Sequence, residues 1–259
     1  MSVSRTVARK PGSGGSEPRP WLGIAAAILR ALGLQVAAFG LVFGAVAAAS
    51  RLPALPPGLM PVAPLPFASW PFASLSGRER AALALTVLPH AALALLVLAA
   101  RRRPGKPLGF ASPALPRRAV LLLLLWPPLQ VAGTAGLLLL TGQIPTRTWR
   151  LSPLLTGGVL WTWILWLVVL APLAEEMLFR GDLFGRLRRH LAPAATVAVS
   201  AAVFALCHAE NGLLQPVSVL PLGVALGAMR LWSGSLWPCI ALHAASNGAV
   251  VLARVWSTV

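Results

Sequence analysis

Long apolar runs, separated by short polar or proline-rich stretches, dominate this chain. They fall near residues 24–49, 81–100, 119–140, 157–185, 193–210, 214–231 and 235–253. A bilayer crossing takes about 20 mostly apolar residues, and each run meets or nearly meets that length. The pattern predicts an all-α fold, a polytopic transmembrane helical bundle of about seven to eight spans. The run at 157–185 stands apart, because its second half carries Glu175, Glu176, Arg180 and Asp182, which a purely structural helix would not keep in hydrocarbon. Pro127 and Pro128 are expected to kink or break the third span, a common structural feature in membranes. There is no internal repeat.

The stretches between the runs set an organisation. Residues 1–20, polar, basic and containing Gly, Ser and Pro, are expected to be a disordered cytoplasmic tail. Residues 21–150 are expected to hold the N-terminal transmembrane helices and an extracytoplasmic loop between Arg51 and Arg80. Seven prolines there oppose helix, and Phe67, Trp70 and Phe72 suit a membrane interface. Residues 151–259 form the third unit, where the chemistry gathers. Basic clusters before the first span, between the second and third, and at Arg186, Arg188 and Arg189 all fall on one side if the N-terminus is cytoplasmic.

Composition agrees with lipid as the main solvent: 57% of 259 residues are hydrophobic and 11% charged, with a mean hydropathy of +0.77. The net charge of +16 arises from Lys and Arg lying largely between apolar runs. It therefore reports topology and anionic lipid, and predicts no nucleic-acid partner. Cys207 and Cys239 both lie in apolar segments, which leaves no disulfide framework and no four-cysteine metal site. Heavy use of Ala, Leu, Arg and Pro fits a bacterial plasma-membrane protein.

Of six acidic residues, four (Glu175, Glu176, Asp182 and Glu210) share one short region with His190 and His208. Ionisable groups near the bilayer centre cost about 2.5–3.5 kcal/mol or more, so such a cluster marks a functional site. A spacing of four puts Glu176 and Arg180 on one helical face as a pair, leaving Glu175 rotated away and free to act as a base. The same spacing brings Phe204 beside His208, and brings His243 beside Asn247 in a pair able to polarise a carbonyl oxygen. With Arg186 at the cytoplasmic interface, Glu175 lies eleven residues inward, about 16 Å, near mid-membrane. His243 reaches the same layer, whereas His208, fifteen residues past Pro193, lies about 22 Å in, slightly too deep. His90 reads as a packed or snorkelled side chain and His190 as an interfacial cation.

Glu175-Glu176-x-x-x-Arg180, Phe204-x-x-x-His208 and His243-x-x-x-Asn247, in that order on three separate spans, resemble the CAAX prenyl endopeptidase and bacteriocin-processing (CPBP) intramembrane proteases. The resemblance covers about residues 150–255. It implies an intramembrane endopeptidase acting on membrane-associated peptides or proteins. In it Glu175 with His208 activates a water, His243 with Asn247 holds the oxyanion, and Glu176, Arg180 and Phe204 position the site. It implies no cofactor.

The same residues bear on rival chemistries. An aspartyl dyad needs two Asp, and only Asp182 is present. The H-E-x-x-H signature is absent, and Glu210 and Asn211 read as a helix-end loop. Ser246 faces away from His243 and Asn247, and Cys207 points away from His208. Zinc on Glu175, His208 and His243 stays open, since two histidines and a carboxylate are a known catalytic set. So does a non-catalytic membrane scaffold or bacteriocin-immunity protein. A transporter lacks the expected paired halves.

Overall fold

The computed structural model describes residues 20–49, 77–100, 108–142, 157–209 and 214–256. The expected tail up to residue 19, the proline-rich loop as far as residue 76, the basic stretch 101–107 and the turn at Glu210 and Asn211 lie outside the described residues. Among the described residues there are seven helical rods: α1 (Pro20–Ala49), α2 (Gly77–Ala99), α3 (Arg117–Leu140), α4 (157–187), α5 (Pro193–Leu206), α6 (Leu214–Ser233) and α7 (Trp237–Trp256). The described residues contain no strand. Among them α1, α3, α4 and α6 are long and apolar enough to cross a membrane, while α2, α5 and α7 contain shorter apolar helices.

Burial is distributed as lipid solvent requires. Leu29 and Leu124 are 68% and 66% exposed, among many large aliphatic side chains on the outer faces of α1 and α3. In water an apolar surface of this extent would drive aggregation, whereas against acyl chains it costs nothing. The polar and charged groups turn inward: Glu176, Arg180, Thr196 and Ser200 are fully buried, and His243 nearly so.

The central rod is α4, which touches α1, α2, α5, α6 and α7. It is not a uniform α-helix, because wide π turns at Trp166–Leu170 and Met177–Leu183 interrupt it. Pro172 explains the first. Its ring clashes with the turn before it and it has no N–H to donate, so the turn widens and Ala171 bonds back to the Trp166 carbonyl, five residues away. In that register the Leu167 carbonyl would have been the acceptor for residue 172. Asn247 of α7 supplies the missing donor, its Nδ2 giving a 2.9 Å bond to Leu167 O. At the second π turn, Arg230 Nε of α6 donates to the Arg180 carbonyl at 3.2 Å. The distortions are therefore fixed in place by polar side chains of neighbouring helices.

Three further ties set the bundle. Arg30, within the apolar run of α1, gives Nε to Asp182 Oδ2 at 3.0 Å and Nη2 to the Ala100 carbonyl at 2.9 Å, while Arg186 grips the same carboxylate from one turn away. The segment 108–116 lies across one end of the bundle, where Leu236 N donates to Gly109 O at 2.7 Å and Ala114 N to Ser233 O at 3.1 Å. Finally, α5 and α6 meet through small residues. A Cβ on Gly223 would stand 3.1 Å from Ala201 Cα, and one on Gly227 would stand 2.9 Å from Val197 Cγ1. Gly223→Val is accordingly expected to destabilise the protein by about 1–3 kcal/mol through overpacking, read as a lowered thermal midpoint in detergent.

The fifth rod differs from the sequence expectation in extent. The run predicted over 193–210 is helical only to Leu206, and His208 lies in the turn that follows, its backbone N bonded to Ala205 O at 3.0 Å. The uninterrupted helix assumed for His208's depth therefore stops short of it.

Candidate active site

Six of the seven site residues predicted from sequence meet around the middle of α4. Glu176 and Arg180 form the expected pair one turn apart, Nη1 to Oε1 at 3.0 Å, both fully buried. The remaining guanidinium contacts show why Arg serves here rather than Lys: Nη2 donates to the Gly223 carbonyl at 3.0 Å, and the guanidinium plane covers the Phe204 ring at 4.5 Å. Phe204 is the aromatic hub. Its ring lies 4.7 Å from the His208 ring, 5.7 Å from that of His243 and 5.1 Å from that of Phe179.

Each imidazole is oriented through Nδ1. His208 Nδ1 lies 2.8 Å from the Phe204 carbonyl, an acceptor only, so Nδ1 carries the proton and Nε2 is left with a lone pair. His243 Nδ1 lies 3.0 Å from Glu176 Oε1, the oxygen that also accepts from Arg180. Both Nε2 atoms then point at one place, each 3.9 Å from Glu175 Oε2. Among the described residues that oxygen, though buried, has no hydrogen-bond partner.

The seventh residue, Asn247, is placed differently. Its carboxamide is one turn beyond His243 on α7, as expected, but one of its two N–H groups is committed to the Leu167 carbonyl. Ser246 is buried, and its Oγ has no hydrogen-bond partner among the described residues, so no base stands beside it. Cys239 is buried too, with Sγ bonded to the carbonyls of Ser235 and Leu226 at 3.5 and 3.7 Å, a packing role.

Glu175 is not free, as its rotation away from Arg180 had implied. Its other oxygen, Oε1, lies 3.3 Å from Nε2 of His90, which arrives from α2. From the sequence alone His90 reads as a packed or snorkelled side chain. The signals that would have singled it out are its position as a polar residue in the apolar part of a span, directly after the helix-interior Pro89. Arg30 was missed in the same way, as an isolated charge within a long apolar run.

Zinc on Glu175, His208 and His243 would bring three donors to about 2.0–2.2 Å from one point, hence about 3.3 Å from each other. The two Nε2 atoms stand 3.9 Å from Oε2 instead, and no group of three His, Cys, Asp or Glu among the described residues is drawn together closely enough for a metal. The donor types suit zinc, but this spacing does not.

Among the described residues, four helices long and apolar enough to cross a membrane, three shorter apolar ones and charges turned inward define an integral membrane protein. Residues 157–249 match the family model described as type II CAAX prenyl endopeptidase Rce1-like, and all three motifs lie inside that stretch. This segment, a little over a third of the chain, is thus similar to that family, as its motifs implied. Comparison with curated proteins and with solved structures gave no match.

Proposed function

We propose that the protein is an intramembrane endopeptidase that hydrolyses peptide bonds of membrane-associated substrates with a water activated by Glu175 and His208. The single observation that carries this is the convergence of two imidazole Nε2 atoms, each at 3.9 Å, on a buried carboxylate oxygen that has no partner of its own among the described residues. A water oxygen hydrogen-bonded at about 2.8 Å to both Oε2 and the His208 Nε2 fits such a gap. Both groups accept, so both water hydrogens are held and a lone pair is left for the substrate carbonyl carbon.

On attack, one water proton passes to Glu175 and the hydroxyl adds to the carbonyl carbon. The oxyanion is met by the second N–H of Asn247 and by the Nε2 edge of His243, which Glu176 orients through Nδ1. Collapse of the tetrahedral intermediate breaks the C–N bond as the proton held by Glu175 goes to the leaving amine. The products are a carboxylic acid, which then ionises by giving its proton to solvent or to the amine, and a free amine, with no covalent enzyme intermediate. Cytoplasmic placement of the N-terminus and seven or eight crossings belong to the same reading. They rest on the distribution of basic residues and on the seven apolar rods.

The test is cleavage in proteoliposomes of two peptides, one farnesylated and ending in a CAAX sequence, the other an unprenylated single-span peptide, with products identified by mass. Cleavage of at least one, unchanged after incubation with EDTA and 1,10-phenanthroline, is the expected result. Cleavage of neither removes the enzyme reading in favour of a scaffold. Loss on chelation with recovery on added zinc transfers the reaction to a metal.

A further inference from the structure

His90 lies outside the family-matched stretch, on a helix whose only sequence likeness to that family is apolarity, yet its ring sits against the residue at the centre of the proposed reaction. We infer that His90 is a positioning residue that fixes the orientation of the Glu175 carboxylate. This rests on the reading of Glu175 as the base.

The His90 ring is held on three sides. Trp166 Nε1, from the first π turn of α4, donates to Nδ1 at 3.1 Å, and the two rings meet edge to face with centroids 5.5 Å apart. Phe39 of α1 meets it edge to face at 6.2 Å. Indole N–H is a donor and never an acceptor, so Nδ1 is an acceptor and the ring proton resides on Nε2. That is the nitrogen 3.3 Å from Glu175 Oε1, with both side chains nearly buried, at 12% and 11% exposure. The chain of groups therefore has one polarity: Trp166 N–H to His90 Nδ1, then His90 Nε2–H to Glu175 Oε1.

A carboxylate turns easily about its last torsion, whose two-fold well is broad. An N–H held on Oε1 pins that torsion and leaves Oε2 directed at His208 and His243. A base whose reacting oxygen has to be within about 0.5 Å of its productive place needs such support. The π turn produced by Pro172 has a part in this as well, because Trp166 opens that turn and its indole reaches His90 from there.

The experiment uses whichever of the two peptides the parent protein cleaves in proteoliposomes, and measures kcat and KM separately. His90→Leu removes the donor and is expected to lower kcat about 10- to 100-fold, the range seen when an outer partner orienting a reactive group is lost, with KM changed less than about twofold. His90→Gln, whose amide N–H reaches about as far as Nε2, is expected to recover most of that loss. Trp166→Phe leaves His90 in place and frees its tautomer, and should lower kcat by a smaller factor with the same constancy of KM. The last two variants read the effect even if His90→Leu fails to insert. Parental kcat in His90→Leu, no recovery in His90→Gln, or parental kcat in Trp166→Phe overturns the assignment. Glu175→Gln is the control that separates the two readings: if it is inactive while His90→Leu is not, only the role of His90 falls. If it is active, the base assignment falls first.

Discussion

Glu175→Gln is expected to abolish turnover, with kcat lowered by about 10²–10⁴-fold or to background, while the protein stays folded and monodisperse in detergent. The substitution is nearly isosteric and keeps an oxygen for the N–H of His90, so the supporting contact at 3.3 Å is retained. What it removes is the proton acceptor that faces the two Nε2 atoms, and general-base removal carries that magnitude. The thermal midpoint should hardly move or should rise, because a buried charge with an incompletely satisfied oxygen is a cost to the fold. Loss of activity with unchanged or increased stability would mark Glu175 as functional. Retained activity would return Glu175 to the role of a structural carboxylate.

Much of the architecture was legible because lipid solvent simplifies the code. Apolar runs long enough to be helices became helices, and the predicted centres of all seven runs lie within the observed rods. The Glu176–Arg180 pair was also legible, since a spacing of four on a helix leaves two opposite charges little choice but to meet. The missing parts depend on distances that hydrophobic periodicity does not encode. Where α5 ends cannot be seen in an unbroken apolar run from Pro193 to His208; the chain turns at Cys207, and the His208 ring caps the last turn through the Phe204 carbonyl. The first π turn follows from Pro172, but only once the carbonyl left over is matched with a donor on a helix 80 residues later. His90 looked bland because each group that gives it a role, Trp166 and Glu175, is far away in sequence. Arg30 and Asp182, 152 residues apart, make the same point: a charge in an apolar run implies a partner, and the run itself does not say where the partner is.

Arg180→Met should have the largest effect on stability of any single substitution in the core of the bundle. Arg180 is fully buried and spends its guanidinium on three neighbours from three helices: Glu176 Oε1, the Gly223 carbonyl and the face of Phe204. Glu176 is equally buried and shares that same oxygen with Nδ1 of His243. Removing the cation leaves a carboxylate in a dry interior with one imidazole to answer it, and breaking a buried pair from one side costs about 3–5 kcal/mol. For a protein of this size that corresponds to a fall of about 10 °C or more in thermal midpoint, measured in detergent by intrinsic fluorescence of the tryptophans. Arg180→Lys should recover only part of the loss, because an ammonium cannot reach the carboxylate and the Gly223 carbonyl in one plane while lying over the ring. The double variant Glu176→Gln with Arg180→Met should be more stable than Arg180→Met alone, since the uncompensated charge has gone. A double variant no more stable than the single one would show that packing against Phe204 and the Gly223 carbonyl, not charge, is what Arg180 supplies. Such a result would also remove Glu176 as the anchor that turns the His243 Nε2 toward Glu175.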